Sequence, residues 1–435
     1  MGKNHQRGGV IMRQYTDGHK LDNAANLFPA VANRQDPHVY RLTAILQDDI
    51  NRHILQSALD QMLPYFKAFD VNLSSGWFHS RLKAHPVAVQ VEEEMREPCL
   101  FINPRKTDGA LFRILFYRNR IHLEAFHVLT DGTGAMEFLK ALSYRYIQMA
   151  YPEDFTKEQM ATHYGIQNAD KVLDGYYENH TWVKRRTYKE PSAYHLVGLK
   201  RKPGNLGILT AIMPIQAIKA ESRRFGATIS EYLVAVIASG LMLTYNDWNR
   251  MNRPINISVP VNLRPIFQTE TALNFFSTIT VVLYPTDPLI NFESILNEVK
   301  TQFKEKTTKR AFEEKIAFTV GGEKSVFAHI TPLPLRNWFL RFMYNHVGNG
   351  STLCFSNLGL HKVEEPFSRY IKGFCALLAP TQKEPVKITV CGYAEELTLT
   401  FTSGLENNNL AGSALRFLTG SKIPVILETG GDPYE

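Results

Sequence analysis

Residues 111–150 constrain this chain more than any other stretch. Two apolar, β-rich runs, Leu111-Phe112-Arg113-Ile114-Leu115-Phe116-Tyr117 and Ile121-His122-Leu123-Glu124-Ala125-Phe126, are separated only by Arg118-Asn119-Arg120, which suits a tight turn. The second run leads directly into His127-Val128-Leu129-Thr130-Asp131-Gly132. Beyond it, Met136, Leu139, Leu142, Tyr146 and Met149 recur at spacings of three and four, the period of an amphipathic helix that stops at Tyr151-Pro152. A hairpin therefore feeds through a short turn into a helix, and His127 stands where strand gives way to turn. A side chain there can face a cleft instead of a sheet ladder. A neutral imidazole so placed accepts a proton from an alcohol, thiol or amine near neutral pH. A lone histidine at a strand end is ordinarily a structural hydrogen-bonder.

The rest of the chain alternates between the two periods. Residues 39–46 read as a strand, and 48–63 as a helix with Ile50, Ile54, Ala58 and Met62 on one face and Pro64 ending it. A further strand is expected at 87–91. Residues 152 to about 205 are polar and weakly periodic apart from a helical stretch near 170–177, and read as a mobile connection. After it, strands are expected at 207–213, 255–260, 277–284, 352–357, 370–378 and 387–402, the last with a turn near 394–396. Helices are expected at 215–225, 230–248, 291–306, 312–320, 335–347 and 410–418, and a strand at 424–427 closes the chain. Thr228-Ile229-Ser230-Glu231 has capping-box spacing ahead of the apolar run Leu233 to Tyr245. The expectation is a mixed α/β protein of two lobes: a disordered extension over 1–20, an N-terminal lobe over 21–175, a linker over 176–205 and a C-terminal lobe over 206–435.

Composition removes several classes of function. Apolar residues make up 44% and charged residues 21% of the 435, the balance of an ordinary globular protein. The net charge of +7 is gathered partly in Lys184-Arg185-Arg186, Lys200-Arg201-Lys202 and Arg223-Arg224. These are either a docking surface for an anion such as CoA phosphates, nucleic acid or lipid headgroups, or solvated linker and helix faces. No nucleic-acid motif accompanies them. Cys99, Cys354, Cys375 and Cys391 form no C-x-x-C pair, which suits a reduced cytoplasmic protein. The start carries no signal-peptide pattern, Gln6 stands where myristoylation needs Ser or Thr, and Met12 is an alternative start. The run from Leu233 to Tyr245 is short for a membrane span and reads as a buried helix. His122, Glu124, His127 and Asp131 are close in sequence, but strand alternation puts His122 and Glu124 on the face opposite His127. Neither H-E-x-x-H nor a P-C-x-x-C partner for His122-Leu123-Glu124 is present, so no metal is expected. Gly132-Thr133-Gly134 lacks the third glycine of a dinucleotide loop, and Gly348-Asn349-Gly350-Ser351 lacks a phosphate-loop lysine.

Four segments in order carry a family likeness: Leu21-Asp22-Asn23-Ala24-Ala25-Asn26-Leu27-Phe28-Pro29; the H-x-x-x-D-G at His127; Val259-Pro260-Val261-Asn262-Leu263-Arg264-Pro265 with Asn274-Phe275-Phe276; and Phe355-Ser356-Asn357-Leu358-Gly359. Together they span most of the chain. The sequence resembles the acyl-CoA-dependent acyltransferases with the H-x-x-x-D-G motif, which include chloramphenicol acetyltransferase and the condensation domains of nonribosomal peptide synthetases. It is most similar to the bacterial alcohol acetyltransferases. It has no Asp-Phe-Gly-Trp-Gly segment of the kind the plant branch carries.

The resemblance implies two chloramphenicol acetyltransferase-like lobes, each a mixed sheet with helices, around a central tunnel. It implies that His127 is the general base, that Gly132 allows a tight turn beside the tunnel, and that Asp131 pairs with Arg264 from the other lobe rather than orienting the base. A role for Asp131 as helix N-cap is compatible with that pairing. By family position, Ser356 and Asn357 line the tunnel or face the oxyanion. The implied activity is transfer of an acyl group, acetyl above all, from acyl-CoA as co-substrate to a hydroxyl of a small alcohol, with no permanently bound cofactor. The alternatives are an acyl carrier protein as donor, an amine as acceptor, or a catalytically silent ligand-binding scaffold of the same fold.

Overall fold

A computed structural model of the chain describes residues 19–22, 25, 27–77, 80–84, 88–181, 190–202, 204–244, 253–284, 291–323, 331–346, 350–407 and 409–429. In the first half the strands are β1 (His19–Lys20), β2 (Val39–Leu46), β3 (Val71–Ser75), β4 (Ser80–Ala84), β5 (Val91–Glu93), β6 (Phe112–Tyr117) and β7 (Arg120–Phe126). In the second they are β8 (Gly207–Pro214), β9 (Ile255–Asn262), β10 (Phe276–Leu283), β11 (Leu353–His361), β12 (Ile371–Leu378), β13 (Val386–Tyr393), β14 (Glu396–Ser403) and β15 (Ile426–Thr429). The fold is mixed α/β, as the two alternating periods require.

Two large sheets organise it. The first has the order β12-β2-β7-β6-β5, and the second the order β10-β9-β11-β13-β14-β8-β15. The β6–β7 hairpin turns through Arg118 at φ 47°, with Tyr117 paired to Arg120. Left-handed backbone at such a position matches the twist of the strands it joins. The helix Gly132–Ala150 lays Met136, Leu139, Leu142 and Tyr146 against the first sheet, where Phe138 stacks on Phe69 at 4.3 Å. A second core forms where the helix Ile229–Thr244 packs with the second sheet. The capping box at its start is real: Thr228 N donates to Glu231 Oε2 at 2.7 Å, and Glu231 N to Thr228 Oγ1 at 3.3 Å. No single helix among the described residues is long and apolar enough to cross a membrane; the one apolar pair, Ile215–Arg224 with Ile229–Thr244, is bent by 82°.

The structure departs from the sequence expectations in several places. The helix expected from Asp48 begins at Arg52, because Asn51 Oδ1 accepts from His53 N and Ile54 N and so caps it. The strand expected at 87–91 begins at Val91, with residue 87 outside the described residues. The hairpin β3–β4 was not anticipated; with β1 it makes a small third sheet. Residues 1–18 lie outside the described residues, and His19–Lys20 pair with β4. Within the stretch 176–205, described residues are tied to the second half. Tyr194 is buried and its N–H donates to Pro254 O at 2.7 Å, while Asn256 Nδ2 holds Pro191 O at 2.9 Å. The division at residue 206 is also crossed: β12 leaves the second half to pair antiparallel with β2. This covers what would otherwise be an open edge of the first sheet.

Candidate active site

His127 lies in the turn after β7. Its N–H donates to His38 O at 3.1 Å, and its carbonyl accepts from Asn274 Nδ2 at 3.3 Å. The imidazole stacks on Phe28 at 5.0 Å between ring centroids and leans on Tyr40 at 4.8 Å, with Phe276 at 5.9 Å. Nδ1 is sealed from solvent and has no well-formed hydrogen bond, while the residue as a whole keeps partial exposure. Burial pulls its pKa below the ordinary histidine value; the Asp131 charge, the Asn274 side chain and its own carbonyl oppose that only in part. The ring is thus held neutral, as a proton acceptor must be.

Asp131 divides its two oxygens between two tasks. Oδ1 accepts from Thr133 N at 3.1 Å and Gly134 N at 3.2 Å, capping the helix Gly132–Ala150. Oδ2 accepts from Arg264 Nη1 at 2.8 Å and from Phe275 N at 2.9 Å. Arg264 follows β9 in the second sheet, so the pair ties the two halves together. The same guanidinium holds Thr271 O at 2.9 Å through Nε and Leu273 O at 2.6 Å through Nη2. Tyr40 OH donates to Thr130 O at 2.9 Å, and Thr130 Oγ1 to Ala272 O at 2.6 Å, which adds a second seam along the same loop. Among the described residues, no hydrogen bond joins Asp131 to the His127 imidazole. Gly132 leaves room for a neighbour: a Cβ there would sit 2.6 Å from Leu358 Cδ2, so the Leu358 side chain would have to turn aside.

The two residues expected on β11 part ways. Asn357 donates through Nδ2 to Ser230 Oγ at 2.9 Å and accepts from Gly359 N at 2.8 Å, so its carboxamide is occupied. Ser356 points to the opposite side by strand alternation. Its hydroxyl makes no hydrogen bond among the described residues.

Asp22 and Asn274 belong to the site, although the sequence assigned them no role. Asp22 accepts from Ala25 N at 2.8 Å and from Asn274 Nδ2 at 2.8 Å. Burial pushes its carboxyl up to about 7 against those hydrogen bonds. The result is a chain from Asp22 through the Asn274 amide to the His127 carbonyl. The available signals were an acid inside an apolar segment and a polar residue ahead of two phenylalanines, and neither spacing says that the two meet.

His122 and Glu124 serve the scaffold. His122 Nδ1 lies 2.8 Å from Thr43 Oγ1. Glu124 Oε1 takes Arg41 Nη2 at 2.7 Å and Cys99 N at 2.5 Å, and Arg41 Nη1 reaches Glu94 at 2.5 Å. No group of three residues able to hold a metal occurs among the described residues. Of the basic clusters, 184–186 lies outside the described residues. Arg224 is exposed at a helix end beside Glu221. Lys200, Arg201 and Lys202 line a cavity of about 220 Å³ together with Arg34 and Pro37. Pro37 adjoins His38, whose carbonyl holds the His127 N–H.

No family model and no curated protein matches the sequence. Solved structures do match the fold. The starter condensation domain of rhizomide synthetase, in complex with C8-CoA and Leu-SNAC, superimposes with a TM-score of 0.58 at 13% identity, over 93% of each chain. Polyketide synthase associated protein 5 from Mycobacterium tuberculosis gives 0.58 at 13% identity, over 94% of this chain and 98% of that one. Trichothecene 15-O-acetyltransferase from Fusarium sporotrichioides gives 0.58 at 11% identity, over 93% and 94%. At such identities the likeness is one of fold: the chain has the two-lobed architecture of the condensation domains and chloramphenicol acetyltransferase-like proteins.

Proposed function

We propose that this protein is an acyltransferase of the H-x-x-x-D-G superfamily, similar to the bacterial alcohol acetyltransferases, moving an acyl group from acyl-CoA to a hydroxyl. The observation that carries the reading is a neutral imidazole at a turn fixed by a buried carboxylate–guanidinium pair between the two halves. His127 Nε2 takes the acceptor's hydroxyl proton as its oxygen attacks the thioester carbonyl. The C–S bond then breaks, and the departing thiolate takes that proton from the imidazolium to leave as free CoA. Base catalysis of this kind contributes roughly 10²–10⁴ in rate. Asp131 and Arg264 position the turn, Gly132 makes room for the Leu358 side chain, and Ser356 is the oxyanion donor. Asn357, already committed to Ser230 and Gly359, shapes the strand instead. The cavity lined by Arg34 and Lys200 to Lys202 suits the phosphates of the donor. Four buried, free cysteines suit a reducing cytoplasm.

The second reading, transfer from a carrier-protein thioester or to an amine, is supported by the condensation domains among the similar folds. Thiol release from acetyl-CoA, measured over a panel of alcohols and amines, tests the proposal. Release with alcohols supports it and release with amines alone favours the second reading. Silence across the panel, with carrier-bound donors silent too, leaves a scaffold.

A further inference from the structure

The helix Leu333–His346 leaves its largest apolar side chains in solvent. Trp338 is 63% exposed, and Leu335, Phe339 and Phe342 are exposed beside it. Their spacing of i, i+3, i+4 and i+7 is one helical face. Leu333, at the start of the helix, is buried, so the element is anchored and not merely loose. Its N–H donates to Trp77 O at 2.7 Å, which brings the β3–β4 hairpin tip to the helix start; Trp77 is 81% exposed. Isolated exposed apolar residues need no explanation, but two tryptophans, two phenylalanines and a leucine gathered on adjoining elements do.

The charges carried by these two elements have one sign. Residues 71–84 and 331–346 contain Arg81, Lys83, Arg336 and Arg341 and no aspartate or glutamate. Arg81, Lys83 and Arg341 are exposed. An aromatic face on elements whose own exposed charges are cationic complements a headgroup layer: indole and phenyl rings settle at the acyl boundary while arginine and lysine meet phosphates. The face is also continuous with the candidate active site. Arg341 Nε donates to Ala30 O in the short helix Phe28–Val31, the Tyr344 ring stands 5.9 Å from that of His38, and Phe28 stacks on His127.

We infer that the helix Leu333–His346 and the hairpin tip at Trp77 form a docking face for a phospholipid surface with anionic headgroups, on which the protein lies without crossing it. Docking there brings Phe28 and His38, the neighbours of His127, toward the bilayer, where an apolar acceptor or product dissolves. The inference stands whether or not His127 transfers an acyl group.

Vesicle flotation tests it, using phosphatidylcholine alone and phosphatidylcholine with phosphatidylglycerol. The full chain should float with the anionic vesicles, less with the neutral ones, and less again in high salt. The double variant Trp338→Ser, Phe339→Ser should bind about tenfold more weakly or worse. Its melting temperature should stay unchanged, because both side chains are exposed. Tryptophan fluorescence quenched by brominated lipid, and quenched less in Trp338→Phe, reports contact independently of flotation. Wild-type protein that stays with the unbound fraction, or a double variant that floats as well as wild type, overturns the inference. So does a dimer that dissociates in the double variant while neither protein floats, since the face then joins two copies of the chain.

Discussion

Replacing Asp131 by asparagine separates the two tasks of its side chain. Asparagine caps helices about as well as aspartate, so the bonds to Thr133 N and Gly134 N survive through its oxygen. The other atom becomes an amide nitrogen, a donor, facing Arg264 Nη1 and Phe275 N, which are donors too. Solvent cannot take over, since the Arg264 and Asp131 side chains are only 12% and 8% exposed. Breaking one partner of a buried pair costs about 3–5 kcal/mol. The lower end applies here, because Arg264 keeps the Thr271 and Leu273 carbonyls. Asp131→Ala also loses the cap, for about 1 kcal/mol more. Denaturant unfolding should therefore rank wild type above Asp131→Asn above Asp131→Ala. In a cycle with Arg264→Gln, each single variant should lose acyl transfer strongly and the double variant little more, because the two residues act as one unit. The reasoning fails if Asp131→Asn is as stable as wild type, or if the two losses multiply independently.

Three further outcomes follow from buried charge. Glu124→Ala leaves Arg41 with Glu94 as its one remaining carboxylate and should cost toward the lower end of about 3–5 kcal/mol in urea unfolding, while Glu124 replaced together with Arg41 by apolar residues should recover much of it. Asp22 titrates near 7 when folded but at 3.8 as a free side chain, so the folded state holds its proton more tightly. Stability from this group is complete below pH 3.8 and is lost as pH rises toward about 7; unfolding midpoints of Asp22→Asn should lack that share of the slope. Burial depresses the His127 pKa, so the base form persists below the ordinary value of 6.5, and the acid limb of kcat/KM should fall below it. An acid limb above 6.5 would contradict the neutral, buried ring.

Much of the fold was legible because its signals are local. Strand β2 runs from Val39 to Leu46 as its residues suggest, and the helix Gly132–Ala150 stops where Pro152 demands. The helix beginning at Arg52 was read four residues early only because Asn51 competes as a cap with the acids before it. What stayed hidden is non-local. Strand order is not written in any window, so nothing marks Ile371–Leu378 as a partner of β2. The hairpin β3–β4 mixes serines, glycine and basic residues and lacks a clean alternation. In the candidate site, His127, Asp131 and Gly132 share one short motif, and Arg264 was reached through family likeness alone. Asp22 and Asn274 meet across 252 residues, and no periodicity spans that distance. The division between Ser356 and Asn357 depends on which face Ser230 occupies, a fact of packing.

The most direct test of the account is thiol release from acyl-CoA by wild type and His127→Ala, with an alcohol that wild type accepts and a thermal melt alongside. The imidazole makes no side-chain hydrogen bond through Nδ1 but packs against Phe28 and Tyr40, so its loss should lower the melt while leaving a cooperative, folded protein. Turnover should fall by roughly 10²–10⁴, the share expected of a general base. A folded His127→Ala protein that releases CoA at the wild-type rate would contradict the assignment of His127 as the base.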